Sequence, residues 1–487
     1  MIEVSDAYKE LVKSNIRPKC EPVIKVSGFD DNGNEVELVW QAKNIKDMTF
    51  KRGIDPVGRE LPYMELTWTE IYTGKFNAES YPEKYNNIVK YMQVELSFVQ
   101  DLAFYNTWKT LFDGGVKWKD LLSKTWKQVK NKVSQEIITM PKMFLSARPT
   151  ISGQTITWVA KDLLRFANEK QIYEFKDGKN VTLKNVISYF ILNMRGVFLN
   201  SQNLFNAYTN TATNLLNQNN IQDVIDKRII CDGSSNNIIL NLASIYNYYW
   251  DFKNDILILN KFNPSSVDFA FSKNILFSYP KIENSTSISS YCFKHRIVEI
   301  DATSAYYRKP SQITSYGNNV YLIHYFLDGY GEAYEDSEKL NERLNIGEIN
   351  IAHLPGKFSN PNNVNIYVIP IKNNVYENII NIDNIGEVFY EDNPINPYDA
   401  ESNVAQNRKD FLNEYFSNYS TSISFESLAN VSIETGDIIE VDTNLYDENG
   451  RQIKKKAMII SMELNYNGSL RQKIKAHEVV LWLLKEI

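Results

Sequence analysis

The sequence predicts a β-rich α+β chain, and three observations carry that expectation. Short segments of apolar–polar alternation recur, as in residues 22–28 (PVIKVSG) and in Met92, Val94, Leu96 and Phe98, the period of a half-buried strand. Turn signals such as Asn32-Gly33 and Asn467-Gly468 separate these segments, as hairpins require. The 487 residues also include 30 Tyr, 24 Phe and 55 Asn; Tyr suits half-buried sheet surfaces and Asn tolerates turn backbone.

Taken in order, residues 5–14 read as a short helix, and 22–28 as a strand leading to the turn Asp30-Asp31-Asn32-Gly33-Asn34. The returning strand covers 36–40. Further strands are expected at 48–52, 64–72 and 92–98, with a turn at 53–58. Residues 106–133 carry helical periodicity. Trp118, Leu121, Leu122, Trp126, Val129 and Val133 share one face, while Lys117, Lys119, Lys124, Lys127, Lys130 and Lys132 mostly fall elsewhere. Lysine interleaved with tryptophan could mark a nucleic-acid surface, but the spacing alone explains it as a core stripe opposed by a solvated face.

Strand pattern resumes at 136–139 and 142–147, then at 150–159 with Gly153 as a turn or bulge. A short helix is expected at 160–168. Residues 181–228 read as partly helical, interrupted by the Asn-rich stretch 206–220. Ile238, Ile239, Leu242 and Ile245 then fit a helix, and 256–259 a strand after a turn at 251–255, making a helix–hairpin unit. Residues 263–400 read as irregular strands between Asn/Pro turns, followed by an amphipathic helix at 401–419. The last stretch reads clearly: strands at 438–441, 456–466 and 470–477, with turns at Gly436, Gly450 and Gly468.

The chemistry-bearing motifs are largely missing. No Gly-Lys-Ser/Thr or Gly-x-Ser-x-Gly occurs, and Gly329-Tyr330-Gly331-Glu332 lacks the third glycine of a dinucleotide loop. The histidines His295, His324, His353 and His477 have no partner at zinc-motif spacing; after His477-Glu478, Leu481 stands where a second ligand should be. Cys292 and His295, three residues apart on a strand, point to opposite faces. Asp30-Asp31 and Glu335-Asp336 read as solvated turn acids, and the 30–34 turn lacks the closing Glu of a calcium loop. Cys20, Cys231 and Cys292 form neither a disulfide framework nor a zinc knuckle. No catalytic, metal or cofactor-binding residue is assigned, and no enzyme activity is expected. The formal charge of −6 disfavours a general polyphosphate binder. Neither a signal peptide nor a membrane span is visible.

Several of these segments resemble the phage tail hub family: Tyr8-Lys9-Glu10-Leu11 with Asn15-Ile16-Arg17-Pro18, the hairpin, and Asn44-Ile45-Lys46-Asp47-Met48-Thr49-Phe50 before Arg52-Gly53-Ile54-Asp55. The helix–hairpin unit at 237–262 and the ending 436–441 with 459–470 resemble it too. The resemblance covers residues 1–75, 135–170, 237–262 and 430–480; nothing in 263–400 corresponds. It implies two tail-tube-like β-barrel hub domains with inserted mixed α/β domains. Residues 1–135 would form the first barrel with a helical insertion, and 136–232 the first part of the second barrel with helices. Residues 233–300 would be a helix–hairpin insertion, 301–420 an irregular Asn-rich β insertion, and 421–487 the strands completing a barrel.

The resemblance further implies a homotrimer, a pseudo-sixfold ring joining the sixfold tail tube to a threefold spike or fibre around the DNA exit channel. Implied partners are tail-tube and distal tail proteins, the tape-measure protein and spike, fibre or baseplate proteins, with DNA only in passage. The expected location is the virion tail tip, assembled in the bacterial cytoplasm. Because the sequence stops at Ile487 soon after its final strands, any lytic domain is expected on a separate polypeptide. The alternatives are a host-binding protein whose Tyr/Asn-rich 263–400 region takes a cell-wall carbohydrate, and a carboxylate-based wall hydrolase.

Overall fold

Alternation and turn chemistry produce the strands that the sequence predicts. In the computed structural model the described residues are 1–14, 19–30, 33–71, 89–102, 135–167, 171–176, 181–195, 201–225, 229–253, 256–263, 266–284, 288–300, 306–308, 321–327, 351–352, 364–381, 387–392, 403–418 and 421–479. The helix expected at 106–133, Gly329–Glu332, His353 and the Glu335-Asp336 pair lie outside them.

The N-terminal half supplies β1 (Cys20–Phe29), β2 (Glu35–Gln41), β3 (Ile45–Gly53), β4 (Tyr63–Ile71), β5 (Gln93–Asp101), β6 (Gln135–Thr139), β7 (Met143–Leu145), β8 (Thr150–Ser152) and β9 (Thr155–Lys161). The expected hairpin joins β1 to β2, with Val26 opposite Leu38. Its turn is closed by the Asn34 amide donating to Asp30 Oδ1 at 2.8 Å, and Gly33 has φ +81°. That positive φ is cheap only for a residue without Cβ.

Next come β10 (Gln171–Lys176), β11 (Val181–Thr182), β12 (Val224–Ile225), β13 (Ile229–Ser234), β14 (Tyr248–Lys253) and β15 (Ile256–Lys261). Helices Leu164–Ala167, Leu183–Arg195, Gln202–Asn217 and Ser235–Ile245 lie among them. Three expectations are corrected here. The Asn-rich stretch does not interrupt the helices: 202–217 is one helix that buries Leu204, Tyr208, Thr211, Ala212 and Leu215. Those positions recur at helical spacing and their burial outweighs the weak propensity of Asn. The turn predicted at 251–255 starts too early, because Asp251, Phe252 and Lys253 still pair within the β14–β15 hairpin. Likewise residues 160–161 finish β9 before the short helix begins at Leu164.

The C-terminal half holds β16 (Phe269–Phe271), β17 (Lys281–Asn284), β18 (Ile288–Ile300), β19 (Tyr306–Arg308), β20 (Tyr321–Leu327), β21 (Ile351–Ala352), β22 (Val364–Asn381) and β23 (Glu387–Asp392). Helix Asn403–Asn418 precedes β24 (Thr421–Leu428), β25 (Ile438–Tyr446), β26 (Gln452–Tyr466) and β27 (Leu470–Glu478). Where irregular strands were expected, β18 and β22 form a long antiparallel pair, Ser290 opposite Asn381 through Ile300 opposite Ile371. Together with β10, β13, β19, β20, β21 and β23 they make an eight-stranded sheet among the described residues.

The main sheet contains fifteen of the described strands, in the order β17-β24-β27-β26-β3-β4-β9-β7-β5-β1-β2, with β25 on β26, β16 on β25, β6 on β5 and β8 on β9. Only the β16–β25 pair in it is parallel among the described residues. Strand β26 joins its two parts, pairing β25 through residues 452–458 and β3 through residues 461–466.

Both parts curl. Trp40 on β2 lies 5.5 Å from Trp68 on β4 and 5.0 Å from Trp158 on β9, ring centre to ring centre. Strand β4 is five strands from β2, which is roughly 24 Å in a flat sheet. The sheet therefore bends back on itself around the buried tryptophans. The same holds at the other end. Phe271 on β16 lies 4.9 Å from Phe425 on β24, four strands away along β25, β26 and β27, or roughly 19 Å if flat.

Candidate functional site

Strand β3 places side chains alternately inward and outward, and Arg52 falls in the inward phase with Met48 and Phe50. A guanidinium there must find partners or cost the fold several kcal/mol. It finds them on two other parts of the chain. Arg52 donates to Glu434 Oε1 at 2.8 Å, to Asp251 Oδ1 at 3.0 Å and to the Phe252 carbonyl. The side chains of Arg52, Asp251 and Glu434 are 2%, 8% and 6% exposed, so water does not screen the cluster.

Neighbouring groups extend it. Thr435 Oγ1 donates to Asp251 Oδ1 at 3.1 Å. The Met1 amino group lies 2.5 Å from Asp437 Oδ1, and Asp437 Oδ2 accepts the Glu434 amide at 2.7 Å. Burial pushes the Asp251 carboxyl up, an effect that Arg52 only partly opposes. Burial alone would lower the Arg52 pKa, but the Asp251 and Glu434 charges outweigh it and hold the guanidinium protonated. Burial also raises Asp437 to about 6, against the pull of the Met1 amino group. The cluster ties the first strands, the helix–hairpin unit and the loop before β25 at one point.

Two further contacts converge on the same junction. Tyr8, on the N-terminal helix Asp6–Leu11, donates to Asn430 Oδ1 at 3.2 Å and accepts the Val431 amide at 3.1 Å. Arg408, on the helix Asn403–Asn418, donates to the Val57 carbonyl at 2.9 Å. Gly58 has φ +77°, and a Cβ there would sit 2.8 Å from the Tyr248 carbonyl oxygen. The loop after β3 thus needs glycine to approach the hairpin.

The outward phase of the main sheet is ordered by charge. One cross-strand row reads Glu426, Lys473, Glu463, Lys51, Glu65, Lys161 over β24, β27, β26, β3, β4 and β9. Within it Lys473 lies 3.6 Å from Glu426 and 4.0 Å from Glu463, Lys51 3.8 Å from Glu463, and Lys161 3.6 Å from Glu65. Directly opposed unlike charges stabilise a sheet modestly. The adjacent row on the same face reads Lys281, Ser424, Lys475, Ser461, Gly53, Tyr63. The Tyr63 ring lies across Gly53, where a Cβ would meet it at 2.3 Å. A groove of about 570 Å³ lies over the β17 to β3 part of these rows, bordered by Tyr63 and Tyr279.

The residues singled out in the sequence scatter. Cys292 and His295 sit on β18 opposite Ile379 and Tyr376, and His324 sits on β20. His477 lies on strand β27 rather than on a zincin-type helix, and Tyr415 Oη lies 3.2 Å from its Nδ1. Burial, and secondarily the Lys475 charge, lower its pKa to about 4. Asp30 closes its own turn. Among the described residues no group of three or more His, Cys, Asp or Glu is placed to hold a metal ion. No described helix is long and apolar enough to cross a membrane. The sequence reading missed Arg52, Asp251 and Glu434 as a cluster. A signal was present, since Arg52 interrupts the apolar phase of its strand.

No family model and no curated protein matches the chain. Solved structures do resemble it. A tail protein from Neisseria meningitidis MC58 aligns over 96% of this chain and 98% of its own, at TM-score 0.47 and 7% identity. The 43 kDa tail protein of prophage MuSo2 from Shewanella oneidensis aligns over 94% and 98%, at TM-score 0.45 and 8% identity. A chain of the Francisella PdpA–VgrG complex aligns over 96% of this chain and 53% of its own, at TM-score 0.42 and 9% identity.

Proposed function

We propose that this chain is a structural hub of a phage tail tip or baseplate, acting by assembly rather than by catalysis. The observation that carries the reading is the doubly curled sheet. Two portions of one sheet curl around their own aromatic cores, around Trp40, Trp68 and Trp158 and around Phe271 and Phe425. In this reading the two curls are two tube-like β-barrels, and the helix–hairpin unit and the eight-stranded sheet are insertions between their strands. In the same proposal β6 to β9 belong with the first barrel, since they pair into the curl around Trp158, and the other domain limits are those expected from the sequence. The buried Arg52 cluster supports it, because a ring that transmits load needs its two barrels fixed to each other.

Three copies, each contributing two barrels, make a pseudo-sixfold ring in the virion tail. The ring joins the tail tube and distal tail proteins on one side to a spike, fibre or baseplate on the other. Tape-measure protein and then DNA pass through its centre during ejection. Light scattering of the purified chain at micromolar concentration tests this. The expected mass is three times the 56.4 kDa of one chain; a species at the mass of one chain overturns it.

A further inference from the structure

The groove on the outer face of the main sheet has a charge imbalance that its own ladder does not absorb. In the row Glu426, Lys473, Glu463, Lys51 each cation faces carboxylates within 4.0 Å. The row beside it is different. Lys475 has Ser424 and Ser461 as cross-strand neighbours, so hydroxyls flank it where carboxylates flank Lys473. Lys281 stands at the end of that row, ion-paired with Glu283 on the same strand. Four lysines (Lys51, Lys281, Lys473, Lys475) and two glutamates (Glu426, Glu463) line the groove, and with Glu283 on Lys281 the excess is the single charge of Lys475, in a chain whose formal charge is −6. The field is felt nearby, where the Lys475 charge helps keep His477 neutral. The groove borders β17, which ends the described path of the main sheet and pairs there with β24.

We infer that this groove is the docking site for an extended acidic segment of a partner protein, held first by Lys475 and the Ser424 and Ser461 hydroxyls, with Lys281 exchanging Glu283 for a carboxylate of the segment. Charge complementarity selects the partner. Lys281 and Lys475 are two strands apart, about 10 Å, and their flexible arms reach carboxylates at alternate positions of an extended peptide, about 7 Å apart. The carboxylates of Glu426 and Glu463 on the groove floor select against a uniformly anionic polymer. A nucleic acid would bring a phosphate against each of them, whereas a peptide can place neutral residues there. Tyr63 and Tyr279 offer apolar walls for its intervening side chains. The inference rests on the assembly role proposed above, since it supplies that assembly with a contact surface.

The test uses the full chain and fluorescence anisotropy with a labelled Glu-Ser repeat peptide, a Lys-Ser repeat peptide and single-stranded DNA of similar length. The acidic peptide is expected to bind and the basic one not. Lys475→Glu should weaken acidic-peptide binding at least tenfold with an unchanged melting temperature, and Lys475→Arg should retain it. Glu463→Gln should strengthen it by removing a repelling carboxylate. No acidic-peptide binding, binding indifferent to Lys475→Glu, or tighter binding of DNA overturns the inference. So does peptide binding that splits the oligomer, which would give the groove to a second copy of the chain. A trimer that ignores the peptide refutes this inference alone, and a monomer that binds it refutes the ring alone.

Discussion

Replacing Arg52 by methionine would leave Asp251 and Glu434 buried without their cation. Both carboxylates are less than a tenth exposed and lie 3.0 and 2.8 Å from the guanidinium. Removing one partner of such a cluster costs about 3–5 kcal/mol, because the remaining charges stay desolvated and unpaired. Each 1.4 kcal/mol is a factor of ten in an equilibrium. Amides that open with this junction should therefore exchange with deuterium roughly two to three and a half powers of ten faster. The amides to follow are those of Phe252, Ile54 and Gly436; the last two donate to the carbonyls of Ile460 and Ile459. Adding Asp251→Asn and Glu434→Gln to Arg52→Met removes the stranded charges and should restore more than half of the lost protection. Exchange that rises less than tenfold in the single variant, or a triple variant no better protected than the single, would refute the reasoning.

Other predictions concern separate parts of the fold. Trp40→Ala and Phe271→Ala should each cost about 3–5 kcal/mol, and exchange should rise in β2, β4 and β9 for the first but in β16 and β24 for the second. Asp162→Asn should cost about 1–3 kcal/mol, since Asp162 accepts the Met64 amide at 2.8 Å on one oxygen and the Leu164 amide at 2.8 Å on the other. Burial raises Asp162 from 3.8 to about 6. Its native form binds a proton more tightly than its unfolded form, so the resulting stability is full below about pH 4 and lost as pH rises through 6. Urea midpoints of wild type and Asp162→Asn between pH 4 and 7 should differ by that dependence, the variant keeping only what Asp437 and His477 contribute. His477 works in the opposite sense. With its pKa lowered from 6.5 to about 4, it contributes stability above pH 6.5 that is lost as pH falls through 4, and His477→Gln should flatten that loss in the same titration.

Local chemistry makes most strands readable in the sequence. Asn32-Gly33, Asn467-Gly468 and Asn449-Gly450 signal turns, and each of these glycines does take a positive φ. Alternation in residues 92–98 gives β5, because one-sided burial leaves a period of two. Long-range arrangement left no such trace. Thr49 pairs with Asn465, 416 positions away, and nothing in either neighbourhood specifies the other. The curls are equally hidden, since Trp40, Trp68 and Trp158 each look like an ordinary inward residue of a separate strand. The Asn-rich helix was misread for a different reason. Asparagine is a weak helix former, and only the spacing of Leu204, Tyr208, Thr211 and Leu215 marks one buried face. The charge rows were visible only as alternate polar positions, since register decides which lysine faces which glutamate.

Electron micrographs of the purified full-length chain test the hub assignment most directly. A hub gives class averages of a ring with threefold symmetry, six similar barrel-sized lobes and an open centre. Compact single particles without a ring, or a ring whose symmetry is not a multiple of three, would contradict it.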